Sequence, residues 1–377
     1  MEDSVVADDP QPTAGMPQEP VFEPIGPDAD KRGGESANEG LDTGRSGSPR
    51  PGFARTSLVK GLADWLVSLT TIRFWFTVAA AVLCTWAAAG SVVLLAPLGG
   101  GAGREVFPML VYSLASALMP ATATLPAVAW GVRAEVRFRG VRGRTGGFAL
   151  LAVLLATALR GLVLAAVVLG VLLVQAWIAG ASGAVAAVSA GVVLVECVVF
   201  GAMGAGLSAW AGRRRLANAA GGLLALAFVA GAPAAAIGLL PLVRAEERVT
   251  VALNVERARD GTHVAFRCSE IEAGISEVYH TERLMWLPAL SPPVLFLMAG
   301  AEADRAGRVL GWVPAAIQEA ADGMQVPCVQ GQPRSRDEPR APMPGMGLLG
   351  QAAIAGAVVA GGYRAARRRD GARGDPA

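Results

Sequence analysis

Two charges stand where charges are costly. Arg160 interrupts an apolar run at about 148–174, and Glu196 interrupts a second at about 184–210. In hydrocarbon each costs about 3 kcal/mol or more, so such groups pair, line a cavity or mark a path for polar solutes. Arg160 lies 13 residues past Gly147, and Glu196 lies 15 residues before Ala211. At 1.5 Å per residue those depths are about 20 and 22 Å. The short Gly180–Gly183 turn between the runs makes them antiparallel neighbours. Matched depths therefore predict an Arg160–Glu196 ion pair near the midplane. Such a pair either fixes the register of two helices or forms a polar element of a path or gate. On this reading Glu196→Gln destabilises the protein.

Other reactive side chains are few. Cys84 and Cys197 fall inside apolar runs and read as small hydrophobes. Cys268 and Cys328 share the one large hydrophilic region, 242–343. An outer, oxidising location predicts a disulfide between them; the alternative is two free thiols. His263 and His280 are the only histidines. Neither has metal-ligand spacing to a cysteine or to the other, so both read as surface residues. The sequence has no G-x-x-x-x-G-K-[ST], H-E-x-x-H or G-x-S-x-G. No residue is assigned a catalytic, cofactor-binding or metal-binding role, and an enzyme is disfavoured.

The elements that position these residues follow from composition. Charged residues make up 17% and apolar residues 53%, where a soluble domain is about 25% charged. Six apolar stretches are long enough to cross a bilayer: about 72–97, 107–131, 148–174, 184–210, 217–241 and 344–363. Arginines cluster on alternate connections. Arg133, Arg137, Arg139, Arg142 and Arg144 follow the second stretch, Arg213 to Arg215 the fourth, and Arg364 and Arg367 to Arg369 the sixth. Positive residues are retained on the cytoplasmic side, so three clusters in one phase put both ends inside. These clusters are topology signals, and nucleic-acid binding is not expected.

The predicted fold is therefore an all-α polytopic protein of a bacterial plasma membrane. Residues 1–55 read as a disordered acidic cytoplasmic tail, because they hold too few apolar groups to offset chain entropy. Residues 56–71 place Leu58, Leu62, Trp65, Leu66 and Leu69 at helical spacing, with Lys60, Asp64 and Ser68 elsewhere on the wheel. This predicts an amphipathic helix at the cytoplasmic interface. Residues 72–241 hold five spans. Residues 242–343 form an extracytoplasmic loop with β-like runs at Val249–Val255 and His263–Cys268, then two short membrane-surface helices at 286–300 and 308–321 that lie on or dip into the outer leaflet. Residues 344–363 form the sixth span, and 364–377 a basic cytoplasmic tail. Pro120, Pro126 and Pro233 read as kinks, for a gate or for plain packing. The small-residue runs Gly201–Gly206 and Ala352, Gly356, Ala360 read as tight helix contacts or a dimer face.

An interfacial helix, six spans with both ends inside and two short outer helices before the last span resemble the membrane (permease) subunit of a type-2 ABC exporter. The outer loop is similar to that of an actinobacterial group of such permeases, which carry an L-x-x-N-P-F-V-V-L-A-D-A-type stretch. The matching run is Met285-Trp286-Leu287-Pro288-Ala289-Leu290-Ser291-Pro292-Pro293-Val294-Leu295-Phe296-Leu297-Met298-Ala299, with Ser291 in place of the asparagine. The segment from Leu310-Gly311-Trp312 to Cys328 also looks similar. In the family an E-R-E-x-x-T-like run after the second span meets the ATPase; the corresponding residues include Arg133, Glu135, Arg137 and Arg139, with Glu135 the only acid. The resemblance implies a partner ABC ATPase, a homo- or heterodimer of permease subunits, and an ATPase-facing surface made of residues 133–144 and 56–71. Spans of mostly Ala, Val, Leu and Gly tolerate a lipid-like or amphiphilic cargo and select none. The other reading of the residues is a membrane-anchored sensor or envelope-assembly protein working through its outer loop.

Overall fold

Burying apolar side chains and satisfying every backbone amide inside a bilayer leaves helices as the simplest spanning element, and the described residues hold six helical segments long and apolar enough for that role. The structure is a computed structural model. It describes residues 52–95, 103–138, 146–257, 263–304, 307–323, 328–329, 332–333 and 343–371. Most of the acidic tail, residues 1–51, lies outside the described residues, as do Arg139, Arg142 and Arg144.

Helix α1 (Gly52–Leu69) precedes α2 (Ile72–Leu95), α3 (Gly103–Phe138), α4 (Gly146–Ile178) and α5 (Ala184–Ala211). Then come α6 (Arg214–Leu226), a five-residue π turn (Ala227–Gly231) and α7 (Ala232–Leu239). The last helix is α10 (Met343–Gly371). Among the described residues the segments long and apolar enough to cross a membrane are α2, most of α3 and α4, α5, the composite Arg214–Val243, and α10 to Arg369. The shortest, 24 residues, reaches about 36 Å, against about 30 Å of hydrocarbon. Large apolar side chains such as Phe76, Leu83, Leu94 and Leu95 stay exposed on α2, as a lipid-facing surface requires. The protein is a helical membrane protein.

The expectation of an all-α fold needs correction. Strands β1 (Arg244–Arg257) and β2 (His263–Tyr279) form a long antiparallel ribbon, extended by β3 (Cys328–Val329) and β4 (Gln332–Pro333) in the order β2-β1-β3-β4. Stretches read as short β-like runs are strands of 14 and 17 residues, because bulges near Val249 and Leu253 let the ladder continue past misfits. The Cys268–Cys328 disulfide is present and ties β2 to β3. Between the ribbon and α10 lie α8 (Pro292–Gly300) and α9 (Val313–Asp322), the two short helices expected from the sequence. The helix that holds the sixth apolar stretch continues past 363 through the arginines to Gly371.

Helix α5 is the axis of the bundle. Its Glu196, Cys197, Phe200 and Met203 are fully buried, and it packs on α3, α4, α8 and α10. The approach is closest where side chains vanish. Gly204 lies against the Val128 carbonyl of α3, Gly131 of α3 against the Gly201 carbonyl, and Gly206 against the Val358 carbonyl of α10. The Gly201–Gly206 run is thus an intrachain helix contact. By contrast, Ala352, Gly356 and Ala360 are exposed, and no atom stands within 4 Å of a Cβ built on Gly356.

Prolines explain two further joints. Proline has no N–H, so it leaves the carbonyl four residues earlier without its helical donor. Pro120 frees the Ser116 carbonyl, which accepts from Ser189 Oγ of α5 at 2.8 Å. Pro233 frees the Val229 carbonyl in the π turn, which accepts from Ser291 Oγ at 3.0 Å. Each bond replaces a lost backbone bond with a contact between elements.

Candidate functional site

The polar side chains inside the bundle gather at two levels, an arginine end and a sheet end. Which side chain reaches which end follows from helix direction. A helical side chain leans toward its own N-terminus. Helix α4 starts at the arginine end and α5 at the sheet end. Gly161 faces Cys197 and Gly201 faces Thr157 across the α4–α5 seam, so Arg160 and Glu196 do sit at matching depths. They nevertheless part, because their side chains lean in opposite directions and leave different sides of their helices.

The expected Arg160–Glu196 pair is therefore replaced by two separate arrangements. Arg160, 5% exposed, donates from Nη2 to Asp64 Oδ2 at 2.6 Å and from Nε to Ser68 Oγ at 3.2 Å. Asp64 Oδ1 also takes the guanidinium of Arg137. One carboxylate on α1 thus fastens α3 and α4. This reverses the expected role of the polar side of α1: Asp64 and Ser68 face the bundle, Gly61 sits against Ala152 of α4, and Leu58, Leu62 and Leu66 are exposed. An exposed apolar stripe beside the start of α2 still suits an interfacial helix.

Glu196 takes the other direction. Its Oε1 accepts from Gln351 Nε2 of α10 at 3.0 Å, and the same Gln351 amide donates to the Leu290 carbonyl at 2.9 Å. Ser291, next in sequence, holds the Val229 carbonyl. Leu290, Ser291, Leu295 and Phe296 are buried, so the 288–300 segment dips into the sheet end of the bundle instead of lying on it. Prolines at 292 and 293 start α8 there, where the absent N–H groups would have been free anyway. Among the described residues, Glu196 Oε2 and Gln351 Oε1 have no hydrogen-bond partner, so this buried node is incompletely satisfied.

Ser291 offers a direct test of that node. Ser291→Ala leaves the Val229 carbonyl without the hydroxyl that Pro233 makes necessary, and it is expected to cost about 1–2 kcal/mol. Adding Pro233→Ala returns a backbone donor and is expected to recover most of the loss. Thermal unfolding of the two variants in detergent checks this, and an additive double variant sinks the explanation.

The remaining candidates fall in different places. Arg133 is half-buried and Arg137 exposed. Glu135 is 1% exposed and accepts from Tyr363 Oη of α10 at 3.0 Å. It is a core residue and not part of an outward-facing surface; helical periodicity turns it inward between Arg133 and Arg137. His280 is buried, not a surface residue, and lies between Glu282 at 2.8 Å and Glu247 at 3.2 Å at the foot of the ribbon. Among the described residues no cluster of His, Cys, Asp or Glu could hold a metal ion. Cys197 is buried and free, and Cys84 is free on the exposed side of α2.

Sequence reasoning missed Asp64, Gln351, Ser189 and Ser291 as site residues. Signals existed for each. Asp64 is the only acid in α1, Gln351 the only amide in α10, and a proline in a helix advertises a carbonyl four residues back. Among the described residues the arrangement fixes helices to one another and leaves positive charge at one end. No family model, curated protein or solved structure matches the chain.

Proposed function

We propose that the chain is the permease subunit of an ABC transporter, working as an exporter in a bacterial plasma membrane. On this reading both ends are cytoplasmic, separate ATPase subunits drive transport, and two permease subunits form the path. The observation that carries it is the fastening of α1 through Asp64 to Arg137 and Arg160. A helix outside the apolar stretches, joined by a buried ion pair to α4 and an exposed one to α3, can pass a push from a soluble motor into the bundle. Residues 56–71 and the last turns of α3 share the arginine end, and Arg133 and Arg137 stand at its edge. The exposed Ala352, Gly356 and Ala360 stripe suits close approach of a second permease.

The test is affinity purification of the tagged full chain from its host membranes, with mass spectrometry of what remains bound. A stoichiometric soluble ATPase is expected, and Arg139→Glu with Arg142→Glu is expected to release it. Recovery of envelope or signalling proteins with no ATPase overturns the reading. It would favour a sensor or envelope-assembly protein, for which the specific observation is the long ribbon with Leu253, Val255, Ile271 and Ile275 exposed.

A further inference from the structure

Five arginines from four helices converge on one cavity of about 280 Å³ at the arginine end. Asp64 is its only acid, and that carboxylate is already committed to Arg137 and Arg160. Arg73 of α2, Arg133 of α3 and Arg214 of α6 remain, and among the described residues none of the three has a carboxylate partner. Arg133 stands in the repulsive field of the other four guanidinium groups. Holding like charges together in one pocket is unfavourable unless an anion joins them.

A second cavity identifies the kind of anion. On α2, one and two turns past the cavity residue Phe74, Val78 and Val82 line an open apolar groove together with Trp75, Leu83 and Val167. Val167 lies two turns beyond Arg160 on α4, so the groove lies between α2 and α4, farther from the arginine end than the cavity. A polar, cationic mouth above an apolar channel at membrane depth has the two-part chemistry of a phospholipid. A free phosphate would need only the mouth.

We propose that Arg73, Arg133 and Arg214 bind the phosphate of an anionic phospholipid headgroup whose acyl chain lies along the Trp75–Val167 groove. The bound lipid neutralises the arginine mouth beside the α1 clamp, which makes α1 docking sensitive to lipid charge. This goes beyond the transport reading and needs only that the protein sits in a bilayer.

Delipidated full-length protein in neutral detergent provides the test, with dioleoyl phosphatidylglycerol as probe and native mass spectrometry as readout. Phosphatidylglycerol is expected to bind in preference to phosphatidylcholine. Arg73→Gln, Arg133→Gln and Arg214→Gln are each expected to weaken it about fivefold, the contribution of one basic residue near an anionic lipid surface. Arg368→Gln, at the same end but on α10, is expected to change nothing. The exposed Arg73 and Arg214 keep the test open should Arg133→Gln not fold. Equal weakening by Arg368→Gln reduces the effect to diffuse charge and overturns the site. Competition by inorganic phosphate as strong as by lipid overturns the acyl half and assigns a soluble anion. No preference over phosphatidylcholine overturns the proposal altogether.

Discussion

Asp64→Asn is expected to be among the most damaging single substitutions in the chain, at about 4 kcal/mol. It leaves the Arg160 guanidinium, whose side chain is 6% exposed, buried without a counter-charge. The Arg137 half of the clamp matters less, because that side chain is 57% exposed and solvent screens it. Arg160→Gln in the Asp64→Asn background removes the stranded charge and is expected to recover part of the loss. Detachment of α1 provides a local readout: Lys60 lies on that helix and is one of only two lysines, so a lysine-specific protease should cut there faster. Unchanged cleavage and an unchanged melting midpoint would refute the clamp. Glu196→Gln, in contrast, is expected to stay within about 1 kcal/mol of wild type. An amide at 196 keeps the acceptor used by Gln351, and no arginine depends on it.

The second large effect concerns a methyl group. Gly204→Ala places a Cβ against the backbone carbonyl of Val128, which cannot rotate away as a side chain would. The α3–α5 contact must open along its length, at an expected cost of about 3 kcal/mol, the upper part of the overpacking range. The same substitution at Gly191, seven residues past the start of the same helix, meets nothing within 4 Å. There alanine removes glycine's backbone entropy and is expected to stabilise by about 0.5 kcal/mol. Opposite signs for one substitution on one helix separate steric contact from helix propensity. Two changes of the same sign and size would show that the contact does not govern stability.

Much of the fold was legible because it rests on one-dimensional quantities. Run length gave the six candidate spans, arginine phase gave the end at which positive charge collects, and prolines marked the short apolar stretch around 288–293. The Cys268–Cys328 pairing followed from both residues sharing one region. Depth was legible as well, since residue count times helical rise placed Arg160 level with the Glu196 region. Strand length in the ribbon was not, because bulges and charge break the alternation that marks a strand in sequence.

The chain by itself therefore determined which segments are long and apolar enough to cross a membrane, which end collects positive charge and how deep each polar residue lies in its helix. Tertiary structure decided the partners. Arg160 meets Asp64 because α4 points it toward the arginine end and α1 docks there. Glu196 meets Gln351 because α5 points it the other way and the 288–300 segment dips between the helices. Rotation about a helix axis, and the docking of segments outside the spans, depend on contacts summed over the whole bundle. No local run of residues contains them.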